Sequence, residues 1–412
     1  MKNKFLQEMK DRGYLNQCTN IDKLGEICNK QSISGYIGFD CTASSLHVGS
    51  LLQIMILKLM QKHGHQPIIL LGGGTTLIGD PSGKDSTRKI LKQDEIKSNI
   101  QSIKNVFNKI LDTSNKKTAP IFVDNADWLT KLNYIQFLRD VGSHFTINKM
   151  LTFDSVKLRL DREQSLSYME FNYMILQAYD FYQLFKNNNC IVQIGGSDQW
   201  GNIVNGVDLI RRMLQKEAYG LTSPLITLAS GAKMGKTEQG AIWLNENQLS
   251  AYDYWQFWRN TDDRDVKRFL NFFTEINTDE VDNIFKKEKN INNLKVLLAN
   301  KTTEILHGDV ASKKAEQSAK ETFEGGGLGS ELPEITIKLS EIENGIGILD
   351  FLANNRILLS KSEARRTIVN KGLKINDIIV DNEKKIIQLE DFKKNILKLS
   401  HGKKKHYLVK II

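Results

Sequence analysis

The chain has 412 residues, of which 40% are hydrophobic and 25% are charged. This length exceeds that of an ordinary single domain, so two or three domains are expected. The formal net charge of +9 suits a polyanionic partner such as a nucleic acid. A generally lysine-rich protein would carry the same balance, so charge alone leaves the partner open.

The N-terminal segment is polar, amphipathic and partly acidic, and it lacks the apolar region of a signal peptide. The sequence contains no stretch of 18 apolar residues that would predict a membrane span. The four cysteines lie at spacings typical of neither a metal site nor a redox motif. These features predict a cytoplasmic protein with reduced thiols, no protein-held metal and no membrane partner.

Short apolar or β-branched runs recur along the first half of the chain. They lie at 34–39, 67–72, 119–124, 190–195 and 224–228. Amphipathic stretches at helical spacing separate most of them, at 51–63, 94–111 and 165–186. Strands that alternate with helices predict an α/β fold with a doubly wound, Rossmann-like parallel sheet.

Three of these runs end in glycine-containing segments, at 38–40, 72–74 and 195–198. Because ligands bind beyond the carboxyl ends of parallel strands, we expect these segments to border one crevice.

Two familiar phosphate motifs fail nearby. The P-loop pattern would need Gly at Ile78 and Ser or Thr at Asp85, and the dinucleotide pattern would need Gly at Leu77. A P-loop NTPase and an NAD enzyme are therefore disfavoured.

Two short segments carry what nucleotide phosphate chemistry requires. His47 stands in a polar turn before an apolar helix, which we expect to begin near Gly49. A helix N-terminus offers oriented N–H groups and partial positive charge to an anion. Lys233 and Lys236 flank Met234 and a glycine in a distant loop, where they would supply full charge. Each motif alone also fits a plain turn or a solvated loop.

A second candidate site lies on the mostly apolar helix predicted over 165–186. Tyr173, Gln177 and Asp180 are spaced at i, i+4 and i+7, so they form a polar stripe on one face of the helix. A buried carboxylate is costly unless it is paired. From the residues alone, Asp180 is either a ligand contact or a group that caps or pairs with a neighbouring element.

From about residue 245 the pattern changes to helices without strands, and a glycine-rich segment follows at 324–330. Residues 331–412 contain 16 Lys and Arg against 11 Asp and Glu. A helix, the sequence Ser-Lys-Ser-Glu-Ala-Arg-Arg, a glycine turn and a strand follow one another within 346–380. The pattern predicts an α-helical domain and then a small, basic α+β domain.

In this order the segments resemble the class I aminoacyl-tRNA synthetases, and in particular the bacterial-type tyrosyl-tRNA synthetases. The two signatures of that class read HVGS at 47–50 and KMGKT at 233–237, and MEFNYMILQAYDF at 169–181 is similar to the tyrosyl substrate helix. The resemblance spans the whole chain. It implies a tyrosine–tRNA ligase that activates L-tyrosine with ATP and Mg²⁺ to tyrosyl-adenylate, and then transfers tyrosine to the terminal adenosine of tRNA(Tyr).

The resemblance implies an ATP site built from both signatures. Catalytic roles at the phosphates and the leaving pyrophosphate are implied for His47, Lys84, Arg88, Lys233 and Lys236. Further contacts to ATP or the adenylate are implied for Asp40, Thr42, Gly49, Ser50, Gly196, Asp198 and Met234. Ser50 departs from the usual second His of the first signature, although its hydroxyl can still reach a ribose oxygen.

The resemblance also implies a tyrosine pocket. Asp180 would accept a hydrogen bond from the substrate phenol, and Tyr36 would make the second contact. The remaining tyrosine-binding residues implied are Asp80, Tyr173 and Gln177 at the ammonium group, with Gln193 and Gln199 lining the rest. Phenylalanine would leave the buried polar groups unpaired and be rejected, so no editing domain is expected.

The C-terminal segment resembles a small RNA-binding domain first known in a ribosomal protein, with Arg365, Arg366 and Lys371 as candidate phosphate contacts. The implied catalytic domain is 1–230, and the family's homodimer interface falls near 130–165. The second signature loop and an α-helical anticodon-binding domain would occupy 231–325. A linker at 326–344 would then lead to the RNA-binding domain at 345–412.

Two rival interpretations differ from this one in a checkable way. A tryptophanyl enzyme would lack the phenol contacts of Tyr36 and Asp180 and the C-terminal RNA domain. An RNA-binding protein on a synthetase scaffold that had lost activity would have no reason to retain all of His47, Asp80, Asp180, Lys233 and Lys236.

Overall fold

The computed structural model describes residues 3–80, 91–231, 234–237, 240–323, 332, 334–343, 345–355, 357–393, 395–402 and 405–412. By its internal contacts the chain forms two compact units. The first contains Met1–Leu249 and Phe257–His307, and the second contains Ser250–Gln256 and Gly308–Ile412. The predicted boundary at residue 230 thus falls inside the first unit. No helix in the described ranges is long and apolar enough to cross a membrane.

The first unit is built on a six-stranded sheet. Its strands are β1 (Gln17–Cys18), β2 (Ser34–Phe39), β3 (Gln66–Leu71), β4 (Ile121–Asp124), β5 (Cys190–Gly196) and β6 (Tyr219–Ser223). They lie in the order β1-β6-β5-β2-β3-β4. All neighbouring pairs are parallel except β1 with β6. The predicted doubly wound sheet is confirmed, with an antiparallel edge strand added to it.

The run at 224–228 was predicted as a strand, and this prediction is wrong. The last parallel strand, β6, ends at Ser223. Pro224 follows directly, and proline has no N–H to donate to a sheet ladder. The segment beyond Pro224 accepts a hydrogen bond from the second signature instead, since the Met234 N–H donates to the Ile226 carbonyl at 3.0 Å.

Helices flank the sheet and follow it in the chain. Up to β6 they are α1 (Lys4–Asp11), α2 (Ile21–Lys30), α3 (Val48–Lys62), α4 (Gln93–Ile110), α5 (Ala126–Leu129), α6 (Tyr134–Asp140), α7 (Ile147–Met150), α8 (Asp154–Asp161), α9 (Tyr168–Asn188) and α10 (Trp200–Leu214). A short hairpin, β7 (Lys236–Thr237) and β8 (Gly240–Ala241), precedes α11 (Ala251–Arg259), α12 (Val266–Phe273), α13 (Thr278–Lys287) and α14 (Ile291–His307). The predicted change from strands to helices after residue 245 is confirmed.

Local sequence sets the ends of the two helices that matter most for the site. At the start of α3, His47 is the N-cap, and its Nδ1 accepts the Gly49 N–H at 3.0 Å. At the start of α9, Ser167 and Glu170 form a capping box. The α9 helix ends at Asn189, which has the left-handed φ of 50°. These local contacts set where α3 and α9 begin and where α9 ends.

Buried polar contacts join the N-terminal segment to the helices that follow the sheet. The Arg12 guanidinium donates to the carbonyls of Asn271, Thr274 and Ile276 at 2.9–3.1 Å. The Tyr14 hydroxyl donates to the Phe272 carbonyl at 2.8 Å, and burial raises the pKa of Tyr14. This end of α12 is thus part of the first unit's core.

The second unit is a small α+β fold, as predicted. Its strands are β9 (Glu334–Ile337), β10 (Ile346–Gly347), β11 (Leu373–Ile375), β12 (Ile378–Ile379), β13 (Ile386–Ile387), β14 (Ile396–His401) and β15 (Lys405–Ile411). Its helices are α15 (Asp309–Phe323), α16 (Leu339–Ile342), α17 (Ile348–Asn354) and α18 (Lys361–Val369). β9 pairs in parallel with β15, so the predicted linker at 326–344 contains sheet structure from Glu334 onward.

Candidate active site

A cavity of about 640 Å³ opens at the carboxyl ends of the parallel strands. It lies where the strand order reverses, since the chain runs outward from β2 through β3 to β4 and then returns to β5 on the other side of β2. This is the position where open α/β sheets bind ligands. The predicted site residues that line it are Tyr36, Asp40, Thr42, His47, Gly49, Ser50, Asp80, Tyr173, Gln177, Asp180, Gln193, Gly196, Asp198 and Gln199.

Asp180 lies at the buried end of this cavity, with 1% of its surface exposed. Its Oδ2 accepts from Asn125 Nδ2 at 2.9 Å, and its Oδ1 accepts from the Trp128 indole N–H at 2.8 Å. Burial raises the pKa of Asp180 to about 7, although both hydrogen bonds act in the opposite direction. A carboxylate oxygen can accept two hydrogen bonds, so each oxygen of Asp180 can accept a further donor beside the one described.

Tyr36 lies on β2, and its side chain is beside that of Asp180. Its hydroxyl is buried and has no hydrogen-bond partner among the described residues. Burial and the nearby Asp180 carboxylate raise its pKa well above the ordinary value. A buried hydroxyl without a partner is costly. A polar ligand atom placed between Tyr36 and Asp180 would satisfy both.

A chain of amide hydrogen bonds through Asn202 joins three side chains that line the cavity. Asn202 Nδ2 donates to the side-chain oxygens of Gln177, at 2.9 Å, and Gln199, at 3.1 Å. Gln199 Nε2 in turn donates to Asp80 Oδ2 at 2.9 Å. The chain connects the polar stripe of α9 to the segment that follows β3. Asp80 thus lines the same cavity as the polar stripe of α9.

The two signatures adjoin at the start of α3. The Val48 N–H donates to the Ile242 carbonyl, and the Leu244 N–H donates to the Leu46 carbonyl, both at 2.9 Å. Gly235 has a φ of +99°, and a Cβ on it would lie 2.6 Å from His47 Nδ1. A Cβ on Gly49 would lie 2.9 Å from the Met234 carbonyl oxygen. Glycine is therefore required at both positions for the backbones to approach.

Some predicted residues have no described side chain. Lys84, Arg88 and Lys233 lie outside the described residues. The backbone of Lys236 belongs to β7, and its side chain is likewise outside the description. Met234 is 95% buried beside the first signature and does not line the cavity.

The predicted RNA contacts lie in the second unit. Arg365 and Arg366 are exposed on α18, and Lys371 is exposed just beyond it. The Arg365 Nε pairs with a Glu383 carboxylate oxygen at 2.7 Å. Lys371 has a left-handed φ of 54° where α18 turns into β11.

Sequence reasoning missed Asn125 and Trp128, the residues that hold Asp180. Both follow β4, a predicted strand whose carboxyl end was not among the three segments expected to border the crevice. Their position after a predicted strand was the signal that could have indicated them. No sequence pattern could indicate the hydrogen bond from Asn125 to Asp180, which lies 55 positions away in the chain. Thr75 and Asn202 were missed in the same way.

Two family profiles match consecutive parts of the chain. The profile described as tRNA synthetases class I (W and Y) matches residues 29–324. The profile of the tyrosine–tRNA ligase SYY-like C-terminal domain matches residues 327–409. The chain therefore belongs to the class I tRNA synthetases of the tryptophan and tyrosine group.

Curated relatives refine this assignment. The chain is 61% identical to a tyrosine–tRNA ligase of Pelagibacter ubique over 410 residues, which covers 100% of both proteins. It is 51% identical to the tyrosine–tRNA ligase of Methylocella silvestris, covering 99% of the chain and 98% of the relative. Within its class, the chain falls among the bacterial tyrosine–tRNA ligases.

Solved structures agree with this fold. A C-terminally truncated mitochondrial tyrosyl-tRNA synthetase from Aspergillus nidulans superposes with a TM-score of 0.70 at 28% identity, covering 78% of this chain and 95% of that one. A tyrosyl-tRNA synthetase from Archaeoglobus fulgidus, complexed with L-tyrosine, shares the fold with a TM-score of 0.56 at 14% identity, covering 76% of this chain and 99% of that one.

Proposed function

We infer that the chain is a tyrosine–tRNA ligase, which activates L-tyrosine with ATP to tyrosyl-adenylate and transfers it to the 3′-terminal adenosine of tRNA(Tyr). Its family membership supports the reaction. The observation that supports the substrate is the buried pair of Tyr36 and Asp180. This pair offers a donor and an acceptor to one phenolic oxygen. A phenylalanine ring offers no polar atom, and a tryptophan indole N–H can only donate, so either side chain would leave the Tyr36 hydroxyl without an acceptor.

In the proposed complex the phenol lies between Tyr36 and Asp180. The substrate ammonium group binds Asp80, Tyr173 and Gln177, and Gln193 and Gln199 complete the walls. Supporting this, the same residues line one cavity with Asp180 at its buried end. The carboxylate of tyrosine would then point toward the first signature, where the α-phosphate of ATP must lie for attack.

The phosphate end would be formed by His47 with the N-terminus of α3, and by Lys84, Arg88, Lys233 and Lys236. Ribose and adenine would contact Asp40, Thr42, Gly49, Ser50, Gly196, Asp198 and Met234. The residues' part in the reaction is to position ATP and to stabilise charge on the leaving pyrophosphate. No protein nucleophile is needed, because the tyrosine carboxylate attacks the phosphorus directly.

Mg²⁺ is proposed to arrive with ATP. Among the described residues, no group of three His, Cys, Asp or Glu side chains gathers to hold a metal. Mg²⁺ commonly binds through substrate phosphates and water with few protein ligands, so it would be held mainly by ATP. When bound, it would neutralise part of the phosphate charge.

The other proposals concern assembly and RNA. Residues 231–325 are proposed to meet the anticodon region of tRNA(Tyr), and the exposed basic residues of the second unit are proposed to meet the same tRNA. Residues 134–168 expose several large apolar side chains, including Tyr134, Ile135, Ile147 and Tyr168 at 57–73%. Such a surface supports a homodimer interface near 130–165, which sedimentation velocity would test. The proposed location is the cytoplasm, where tRNA is charged.

ATP–pyrophosphate exchange tests the proposal directly. The purified protein is assayed with tyrosine, tryptophan, phenylalanine or no amino acid. Exchange with tyrosine alone is expected. Exchange with tryptophan would support the tryptophanyl alternative, and no exchange from a folded protein would support an inactive RNA-binding scaffold, with Ser50 the first position to restore to His.

A further inference from the structure

Asn125 occupies a central place behind the cavity, and all of its amide hydrogen-bonding groups are used. It is 1% exposed. Its Oδ1 accepts the backbone N–H groups of Gly74, at 2.8 Å, and Thr75, at 3.3 Å. Its Nδ2 donates to Thr75 Oγ1 at 3.0 Å and to Asp180 Oδ2 at 2.9 Å.

These contacts fix the orientation of the amide. A backbone N–H can only donate, so the side-chain oxygen of Asn125 must face Gly74 and Thr75. The NH₂ group is therefore directed at Asp180 and at the Thr75 hydroxyl. A flipped amide would place donors against donors on one side and leave Asp180 without its partner on the other.

Thr75 continues this chain to the opposite side of the cavity. Thr75 is 3% exposed. Its hydroxyl accepts from Asn125 and donates to Asp40 Oδ1 at 3.4 Å. The same Asp40 oxygen accepts from the Tyr173 hydroxyl at 3.3 Å. Asn125 thus donates to the carboxylate of Asp180 at the proposed phenol end, and Thr75 donates to the carboxylate of Asp40 at the proposed adenylate end.

The two carboxylates also influence each other through space, because the charge on Asp40 raises the pKa of Asp180. The bridge places one donor on each of them. Because the amide orientation is fixed, a ligand group that binds one carboxylate meets it in the position that the same bridge sets for the other carboxylate. Coupling between two sites in one hydrogen-bond network is reciprocal.

We propose that Asn125 and Thr75 are positioning residues that couple recognition of the substrate phenol at Asp180 to placement of the reacting end at Asp40. Binding of the phenol then accelerates adenylate formation as well as increasing affinity. This inference rests on the proposed function. It assigns Asn125 and Thr75 a role in specificity, and neither residue takes part in a chemical step.

A double-mutant cycle tests the coupling. Thr75→Val keeps the side-chain shape and removes both hydrogen bonds of the hydroxyl, and Asp180→Asn alters the phenol contact. In otherwise wild-type protein, Thr75→Val is expected to lower kcat/KM for tyrosine in pyrophosphate exchange by about tenfold, mainly through kcat. In the Asp180→Asn background the same substitution should cost less than about threefold.

Two control variants separate coupling from simple packing. Thr75→Ser restores the hydroxyl and should recover most of the activity. Thr302→Val removes a comparably buried hydroxyl, which donates to the Leu298 carbonyl within α14, and should leave kcat and the cycle unchanged. A Thr75→Val effect of equal size in both backgrounds would overturn the proposal.

A pH profile provides a readout that a purely structural role would not change. Asn125→Ala removes one of the donors that hold down the pKa of Asp180, so the pH midpoint of tyrosine binding should move upward by about one unit. An unchanged midpoint in a folded variant would contradict the coupling. If wild-type protein shows no tyrosine-dependent exchange, the proposed function itself fails. If it exchanges normally but the cycle is additive, only this inference fails.

Discussion

The proposed tyrosine pocket and the basic helix α18 show two different ways of arranging polar groups for binding. In the pocket, Asp180 and Tyr36 are almost fully buried, and Asp180 is held by two further side chains. On α18, Arg365 and Arg366 are exposed, and Arg365 pairs with Glu383 at the surface. The polar groups of the pocket are desolvated and fixed, whereas the cations of α18 are hydrated and adjustable.

The difference follows from what each surface is proposed to bind. One oxygen atom must distinguish tyrosine from phenylalanine, so the few hydrogen bonds to it are made in a buried site, where an unpaired group is costly. A tRNA backbone offers many phosphates, so binding energy is shared among exposed cations and depends on salt. Substitutions should therefore have large effects in the pocket and small individual effects on α18.

The largest effect is expected from removing the whole basic surface. Deletion of residues 331–412 should lower kcat/KM for tRNA charging roughly a thousandfold, because many phosphate contacts are lost together. Pyrophosphate exchange should be unchanged. Aminoacylation and exchange assays on the same preparation measure the two steps, and equal loss of both would contradict the division of labour between pocket and RNA surface.

Asp180→Asn should have the largest effect of any single substitution in the comparison. An Asn amide has only one oxygen, so either Asn125 or Trp128 would face another donor. We expect kcat/KM for tyrosine to fall about a hundredfold while the fold is retained. Exchange kinetics and thermal melting measure this. Asp22→Asn, at an exposed position in α2, is the matched control, and wild-type tyrosine kinetics for Asp180→Asn would exclude the phenol contact.

Acid should weaken tyrosine binding through the same carboxyl group. The pKa of Asp180 is raised to about 7 in the empty pocket, so the carboxylate that accepts the phenol hydrogen is lost as the pH falls through that value. Affinity should be about tenfold lower one unit below the midpoint than well above it. Calorimetric titration from pH 6 to 8 measures it, and Asp180→Asn should flatten the profile. A flat wild-type profile would show that the charge of Asp180 does not matter.

Single basic residues of the second unit should show the smallest effects. Arg366→Ala or Lys371→Ala is expected to weaken tRNA binding about threefold and to reduce the slope of log affinity against log salt by about one. Filter binding at several salt concentrations measures both values. Lys30→Ala, at the exposed end of α2, tests whether any lost surface charge has the same effect. A hundredfold loss from either variant would mean that this surface works like the pocket.

The sequence predicted the parts of the fold that depend on local pattern. The alternating runs gave four of the sheet strands near their observed positions, and the change to helices after residue 245 was also visible. The run at 224–228 failed because a proline interrupts it and the true strand lies just before. The start of β9 within the predicted linker could not be seen, since its partner β15 lies some 70 residues further on.

For the site, the sequence by itself determined which residues are proposed to carry the chemistry, because the two signatures and the polar stripe of α9 are short-range patterns of residue type and spacing. The tertiary structure alone decided what surrounds them. Asn125, Trp128 and Thr75 are ordinary residues in ordinary segments. They meet Asp180 or its partners only because β2, β3 and β4 end beside the face of α9 that lines the cavity. Hydrogen bonds between distant segments leave no periodic trace in a sequence, so the network that holds Asp180 appears only in three dimensions.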